Sequence, residues 1–173
     1  AVETAGTTKR NDVSLEMSRQ AWSRLDAAFE KAMRDPRDDD ARAGMLLGAH
    51  LAGAAIEQSM LGAAHACANP LTARLGITHG IAVGVMLPHV VRFNCIIGEN
   101  PYAALSDDPE TLAQRIEAML EAGRLPWRLA DCGVPEGILP ELAIEAARQW
   151  TAAFNPRPVA SAELLEIYRM AYS

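Results

Sequence analysis

Apolar residues return every three or four positions through most of this chain, and nowhere do they alternate over the length of a strand. Leu15, Trp22, Leu25, Phe29 and Met33 follow that rhythm after the polar stretch Thr7 to Asp12, with Ser14 as the expected cap and Asp35-Pro36 as the expected stop. Asp38-Asp39-Asp40 lies where the positive end of a helix dipole favours it and opens an apolar segment through Ile56, read as a mostly buried helix. Gly44 and Gly48 lie four apart on it, each costing roughly 1 kcal/mol relative to Ala, which close contact with another helix would offset. Leu61 to Leu75 and Gly80 to Phe93 read as two further helices, the first ending at Gly76 and the second kinked or stopped by Pro88. Leu112 to Leu120 marks a helix closing near Gly123. Trp127 to Leu129 starts another, and Glu141 to Trp150 and Ala162 to Ala171 complete the set. With half its residues hydrophobic and only 5% aromatic, the chain must pack a core of Ala, Leu, Ile, Val and Met. The expected fold is therefore all-α, a single multi-helix bundle over residues 1–173.

Charge and cysteine usage narrow the function classes. A net charge of -6 with scattered basic residues offers a polyanion no continuous positive track, so no nucleic-acid partner is expected. Cys67, Cys95 and Cys132 are odd in number and lack paired spacing, which fits free thiols in the cytoplasm. The longest apolar run, Ala43 to Ile56, holds His50 and is shorter than the roughly 20 residues a bilayer demands, so no membrane span is expected. The opening Ala1-Val2-Glu3 has no initiator Met and no signal-like segment, and it reads as a cut within a longer chain.

Two of the four histidines, His65 and His79, fall within the segment GAAHACANPLTARLGITHG. In one unbroken helix their separation of 14 residues would place them about 21 Å apart, far beyond sharing an ion with metal–nitrogen bonds of roughly 2 Å. A shared divalent metal therefore requires a chain break, and Pro70 and Gly76 supply places for one. On spacing alone, two hydrogen-bonded core histidines remain the commoner outcome. His50, inside an apolar helix, and His89, after Pro88, read as structural, and Cys67 as a buried thiol pointing away from His65.

The segment around His65, the Thr78-His79-Gly80 turn, Leu87-Pro88-His89, Arg92-Phe93-Asn94 and Asn155-Pro156-Arg157-Pro158 together resemble the C-terminal domain of the iron-containing (group III) alcohol dehydrogenases. The resemblance runs from Ala1 to Ser173 and implies the helical fold shared with dehydroquinate synthase-like proteins. It also implies a metal, Fe(II) or Zn(II), held by His65 and His79 together with an Asp and a His lying just upstream of a segment like Ala1-Val2-Glu3. A further implication is an N-terminal nucleotide-binding domain for NAD or NADP, of which this chain carries no G-x-G-x-x-G fingerprint. The implied reaction is oxidation of a small alcohol or reduction of an aldehyde, with this segment alone inactive.

Asn69 departs from the pattern, since many family members are similar to one another in carrying a His one turn after the first ligand. An amide exchanges no proton near neutral pH, so Asn69 either orients substrate or water, or caps a turn before Pro70. Two alternatives stay open: a non-catalytic helical interaction module that dimerises through an apolar patch, and a relative of the maleylacetate reductases or polyol dehydrogenases.

Overall fold

Helix formation begins with a side chain that satisfies the free amides of a first turn. Asn11 accepts from the Ser14 amide at 3.0 Å while the Ser14 hydroxyl accepts from the Asn11 amide at 3.0 Å, a reciprocal box that opens a helix at Asp12. The cap is thus Asn11 and not Ser14: the extended backbone of Asn11 marks the boundary, and Ser14 already lies one turn inside. Asp35, held extended ahead of Pro36, ends the helix as expected.

A computed structural model describes residues 1–95 and 98–173. Among these it shows α1 (Val2–Gly6), α2 (Asp12–Arg34), α3 (Asp39–Gln58), α4 (Ala63–Leu75), α5 (His79–Asn94), α6 (Pro109–Ala122), α7 (Leu139–Ala147) and α8 (Ser161–Tyr172). Short 3-10 turns at Glu136–Ile138 and Trp150–Phe154 flank α7. Among the described residues none lies in a strand, and no helix is long and apolar enough to cross a membrane.

α2 and α3 form an antiparallel hairpin whose closeness depends on glycine. A Cβ on Gly44 would sit 2.9 Å from the Ala28 methyl, and one on Gly48 would sit 2.8 Å from the branch point of Leu25. The expectation of a mostly buried second helix fails here. α3 packs almost solely on α2, so only Ala41, Gly48 and Ala55 are buried, and Leu46 and Leu47 remain 69% and 42% exposed. Arg115 of α6, bonded to Asp26 and Glu30 at 2.5 Å each, fastens this hairpin to the remainder.

The main core lies among α4, α5, α7 and α8, where Leu71, Val85, Met86, Phe93, Leu142, Leu164, Ile167 and Tyr168 are wholly buried. A second cluster joins Val2 of α1, Val91 of α5, Tyr102, and Leu112 and Ile116 of α6. Pro70 and Pro88 were expected to bend or stop their helices, and neither stops one, since α4 and α5 run through both. Both residues are buried, so core packing offsets the hydrogen bond each proline removes. The real break is Gly76, in the left-handed region at φ 67°. Trp127 to Leu129 is irregular chain leading into a turn and not a helix start, because the Leu129 amide bonds to the Ala171 carbonyl at the end of α8. The helix expected over Glu141 to Trp150 instead spans Leu139–Ala147 and passes through Gln149 into the 3-10 turn.

Two consequences are measurable by denaturant titration. Gly44→Val should destabilise the chain by about 1–3 kcal/mol through overpacking against Ala28. Gly53→Ala on the same helix, where an added methyl meets nothing, should be neutral or gain up to ~1 kcal/mol. The half-buried His89 has its pKa lowered to about 4, first by desolvation and then by Arg92, with Glu117 opposing. Its neutral form is the folded one, so stability should fall as pH drops from the unfolded value near 6.5 toward 4, by up to ~3 kcal/mol. His89→Gln should flatten that part of the stability profile, and an unchanged slope would contradict the assignment.

Candidate metal centre

α4 starts without a local cap. Its N-terminal neighbour is Gly62, and the amides of the first turn are met from elsewhere in the chain. The Ala63 amide donates to Asn155 Oδ1 at 3.2 Å, the Ala64 amide to Glu3 Oε1 at 2.7 Å, and the His65 amide to Glu3 Oε2 at 3.3 Å. Gly62 eases this approach: a Cβ there would lie 3.1 Å from both Asn155 Oδ1 and Glu3 Oε1, close enough to push both side chains back. The buried Glu3 carboxylate, 6% exposed, thus closes the positive end of a helix, and α1 exists to hold it there.

The same carboxylate sets the His65 ring. His65 Nδ1 bonds to Glu3 Oε2, which makes Nδ1 the protonated nitrogen and leaves the lone pair on Nε2. Gly76 then turns the chain, and Ile77 and Thr78 lead to His79, the first residue of α5. The two imidazole centres come to lie 5.3 Å apart at an interplanar angle of 56°. Two imidazoles on one tetrahedral ion, with metal–nitrogen bonds of about 2.1 Å, have centres roughly 5–5.5 Å apart. The pair therefore fits a shared divalent ion in both donor type and spacing. A metal held there would need further ligands, since the described residues contain no group of three or more His, Cys, Asp or Glu able to hold one.

The other candidates separate. Cys67 is wholly buried, and desolvation pushes its thiol far up, so it offers no thiolate. His50 is exposed on α3, and the half-buried His89 lies within the fields of Arg92 and Glu117. Asn69 lies one turn beyond His65, and its Nδ2 donates to Gln149 Oε1 at 3.0 Å. It caps no turn, because α4 continues to Leu75.

Glu3 and Gln149 were not singled out from the sequence as functional. Glu3 stands between Val2 and Thr4 with nothing in the sequence to mark it as buried, and Gln149 left no trace either. The two segments flagged as motifs around Asn94 and Asn155 meet each other. Asn155 Nδ2 donates to Asn94 Oδ1 at 2.6 Å, Asn94 Nδ2 to the Tyr102 hydroxyl at 2.6 Å, and Arg157 Nη1 to the Phe93 carbonyl at 2.9 Å. That network holds Asn155 against the start of α4.

Comparison with known proteins places the fold and the family. The chain is 35% identical over 145 residues to a 1,3-propanediol dehydrogenase of Citrobacter freundii, covering 76% of this chain and 38% of that protein. It is 29% identical over 181 residues to a lactaldehyde reductase of Escherichia coli K12, covering 90% and 47%. A crystal structure of 1,3-propanediol oxidoreductase superposes with a TM-score of 0.89 at 27% identity, covering 99% of this chain and 48% of that one. The chain thus spans about half the length of the relatives it matches. The profile of the Fe-containing alcohol dehydrogenase family, C-terminal, matches residues 1–172, and the chain belongs to that family as its C-terminal helical domain.

Proposed function

We propose that this chain is the metal-binding part of an NAD(P)-dependent dehydrogenase that oxidises a small alcohol or reduces an aldehyde, and that it works together with a nucleotide-binding domain. The observation that carries the reading is the convergence of His65 and His79 at 5.3 Å across the Gly76 break, with Glu3 fixing the His65 ring. Similarity to alcohol- and aldehyde-transforming relatives supports the reaction class.

His65 and His79 are two of the protein ligands to a divalent metal, Fe(II) or Zn(II), whose remaining ligands come from outside the described residues. When bound, such an ion supplies Lewis-acid polarisation of the alcohol or carbonyl oxygen. Glu3 orients His65 and raises its basicity as a ligand through the Nδ1 hydrogen bond. Asn69, steadied by Gln149, presents an amide on the His65 face of α4, where it orients substrate or water by hydrogen bonding without exchanging a proton. Hydride acceptance falls to the nicotinamide held by the partner domain.

Titration of the chain with Zn(II), read by calorimetry, tests the ligand assignment. Saturable binding should weaken by at least ~10-fold in the His65→Ala, His79→Ala double variant. It should weaken by roughly 10- to 100-fold in Glu3→Gln if that variant keeps its helical circular dichroism. Equal affinity in the parent and the double variant would remove both histidines from the site.

A further inference from the structure

The structure holds a charged cleft that the histidine pair does not line. It has a volume of about 440 Å³ and lies where the end of α1, the end of α5 and the Pro156-Arg157-Pro158 segment come together. Arg10, Arg157 and Glu99 supply its charges, and Asn94, Thr8 and Asn100 complete the part of the wall that matters here.

Both arginines are held in place by neutral partners. Arg10 Nη1 donates to the carbonyls of Gly6 and Thr7 at 3.0 and 3.3 Å, which close the end of α1. Arg157 Nη1 donates to the Phe93 carbonyl, and its guanidinium lies 3.8 Å from the centre of the Phe93 ring. Each guanidinium therefore keeps its other N–H groups uncommitted while its orientation is already set, which lowers the entropy lost on gripping an anion. Among the described residues neither arginine forms an ion pair, and Glu99 has no cationic partner. Glu163 feels the charge of Arg157 but commits Oε2 to the Ala160 amide at 2.9 Å.

The amides on the wall are spent. Asn94 bonds to Tyr102 and Asn155, and Asn100 Nδ2 bonds to the Ser106 and Asp107 carbonyls. The chemistry left facing the cleft is two fork-shaped donors and one acceptor carboxylate. An oxyanion with no hydrogen satisfies the arginines but is repelled by Glu99. A monohydrogen phosphate or phosphomonoester monoanion satisfies all three, because its oxygens accept from the guanidiniums while its P–OH donates to Glu99.

We propose that this cleft is a phosphate-class anion site, built from Arg10 and Arg157 and selected for a protonated oxyanion by Glu99. The assignment is independent of the metal centre, and it is tested without metal. Inorganic phosphate is titrated into the chain at constant ionic strength set with chloride, with the amide resonances of Thr8 and Asn100 followed by NMR. Sulfate, which carries no proton at neutral pH, is the comparison.

Saturable shifts with phosphate, roughly tenfold weaker with sulfate, are expected. Arg10→Gln should weaken phosphate binding about tenfold, and Glu99→Gln, a surface change that leaves the fold alone, should erase the preference for phosphate over sulfate. Shifts no larger than those in chloride alone would overturn the site. Equal binding of the two anions by the parent chain, or a preference unaffected by Glu99→Gln, would overturn the role of Glu99 and with it the phosphate-class assignment.

Discussion

Burial of the Glu3 carboxylate is the interaction on which the rest of this structure depends. A charge taken out of water costs several kcal/mol unless hydrogen bonds and a favourable field replace its hydration. Here the replacement is complete: Oε1 takes the Ala64 amide, Oε2 takes the His65 amide and ring nitrogen, and both oxygens face the positive end of α4. Three features of the chain follow from it. α1 docks with its whole length buried, Gly62 leaves the space a side chain would crowd, and α4 begins without a cap of its own.

That one carboxylate joins stability to chemistry. Removing it would leave an uncapped helix end in the interior and, at the same time, a His65 ring free to choose its tautomer and rotation. Asn155 shares the load at Ala63, and through Asn94, Tyr102 and Arg157 it ties the last loop and the end of α5 to the same point. The histidine pair is thus positioned by buried polar contacts reaching across the chain, while the α2–α3 hairpin stands to one side and packs mainly on itself. Such an arrangement favours a site held at fixed geometry before any ligand arrives.

How much of this could be read in the sequence depended on whether the cause was local. Helical periodicity, the Asp35-Pro36 stop and the Gly76 break act within a turn of themselves, and the structure bears them out. The Gly44 and Gly48 spacing did report close helix contact. Burial was less legible: the apolar run in α3 resembles a core helix, but hydropathy does not tell which elements will pack against it, and only α2 does so extensively. Whether Pro70 and Pro88 would stop their helices was illegible for the same reason, since the packing that offsets a lost hydrogen bond is tertiary. At the site, His65 and His79 share one short segment with a break between them, but spacing alone favoured two core histidines, and only the resemblance to the family singled the pair out as ligands. Glu3 and Gln149 act across 62 and 80 residues respectively, and no spacing rule connects them to their partners.

The claim that organises all of this is that Glu3 holds His65 with its proton on Nδ1 and its lone pair on Nε2. Long-range proton–nitrogen correlation NMR on histidine-labelled chain, recorded above neutral pH without metal, reads it directly. The account predicts a pyrrole-like shift for Nδ1 and a pyridine-like shift for Nε2 of His65, with that pattern lost in Glu3→Gln. A protonated Nε2, or fast averaging of the two nitrogens in the parent chain, would contradict it.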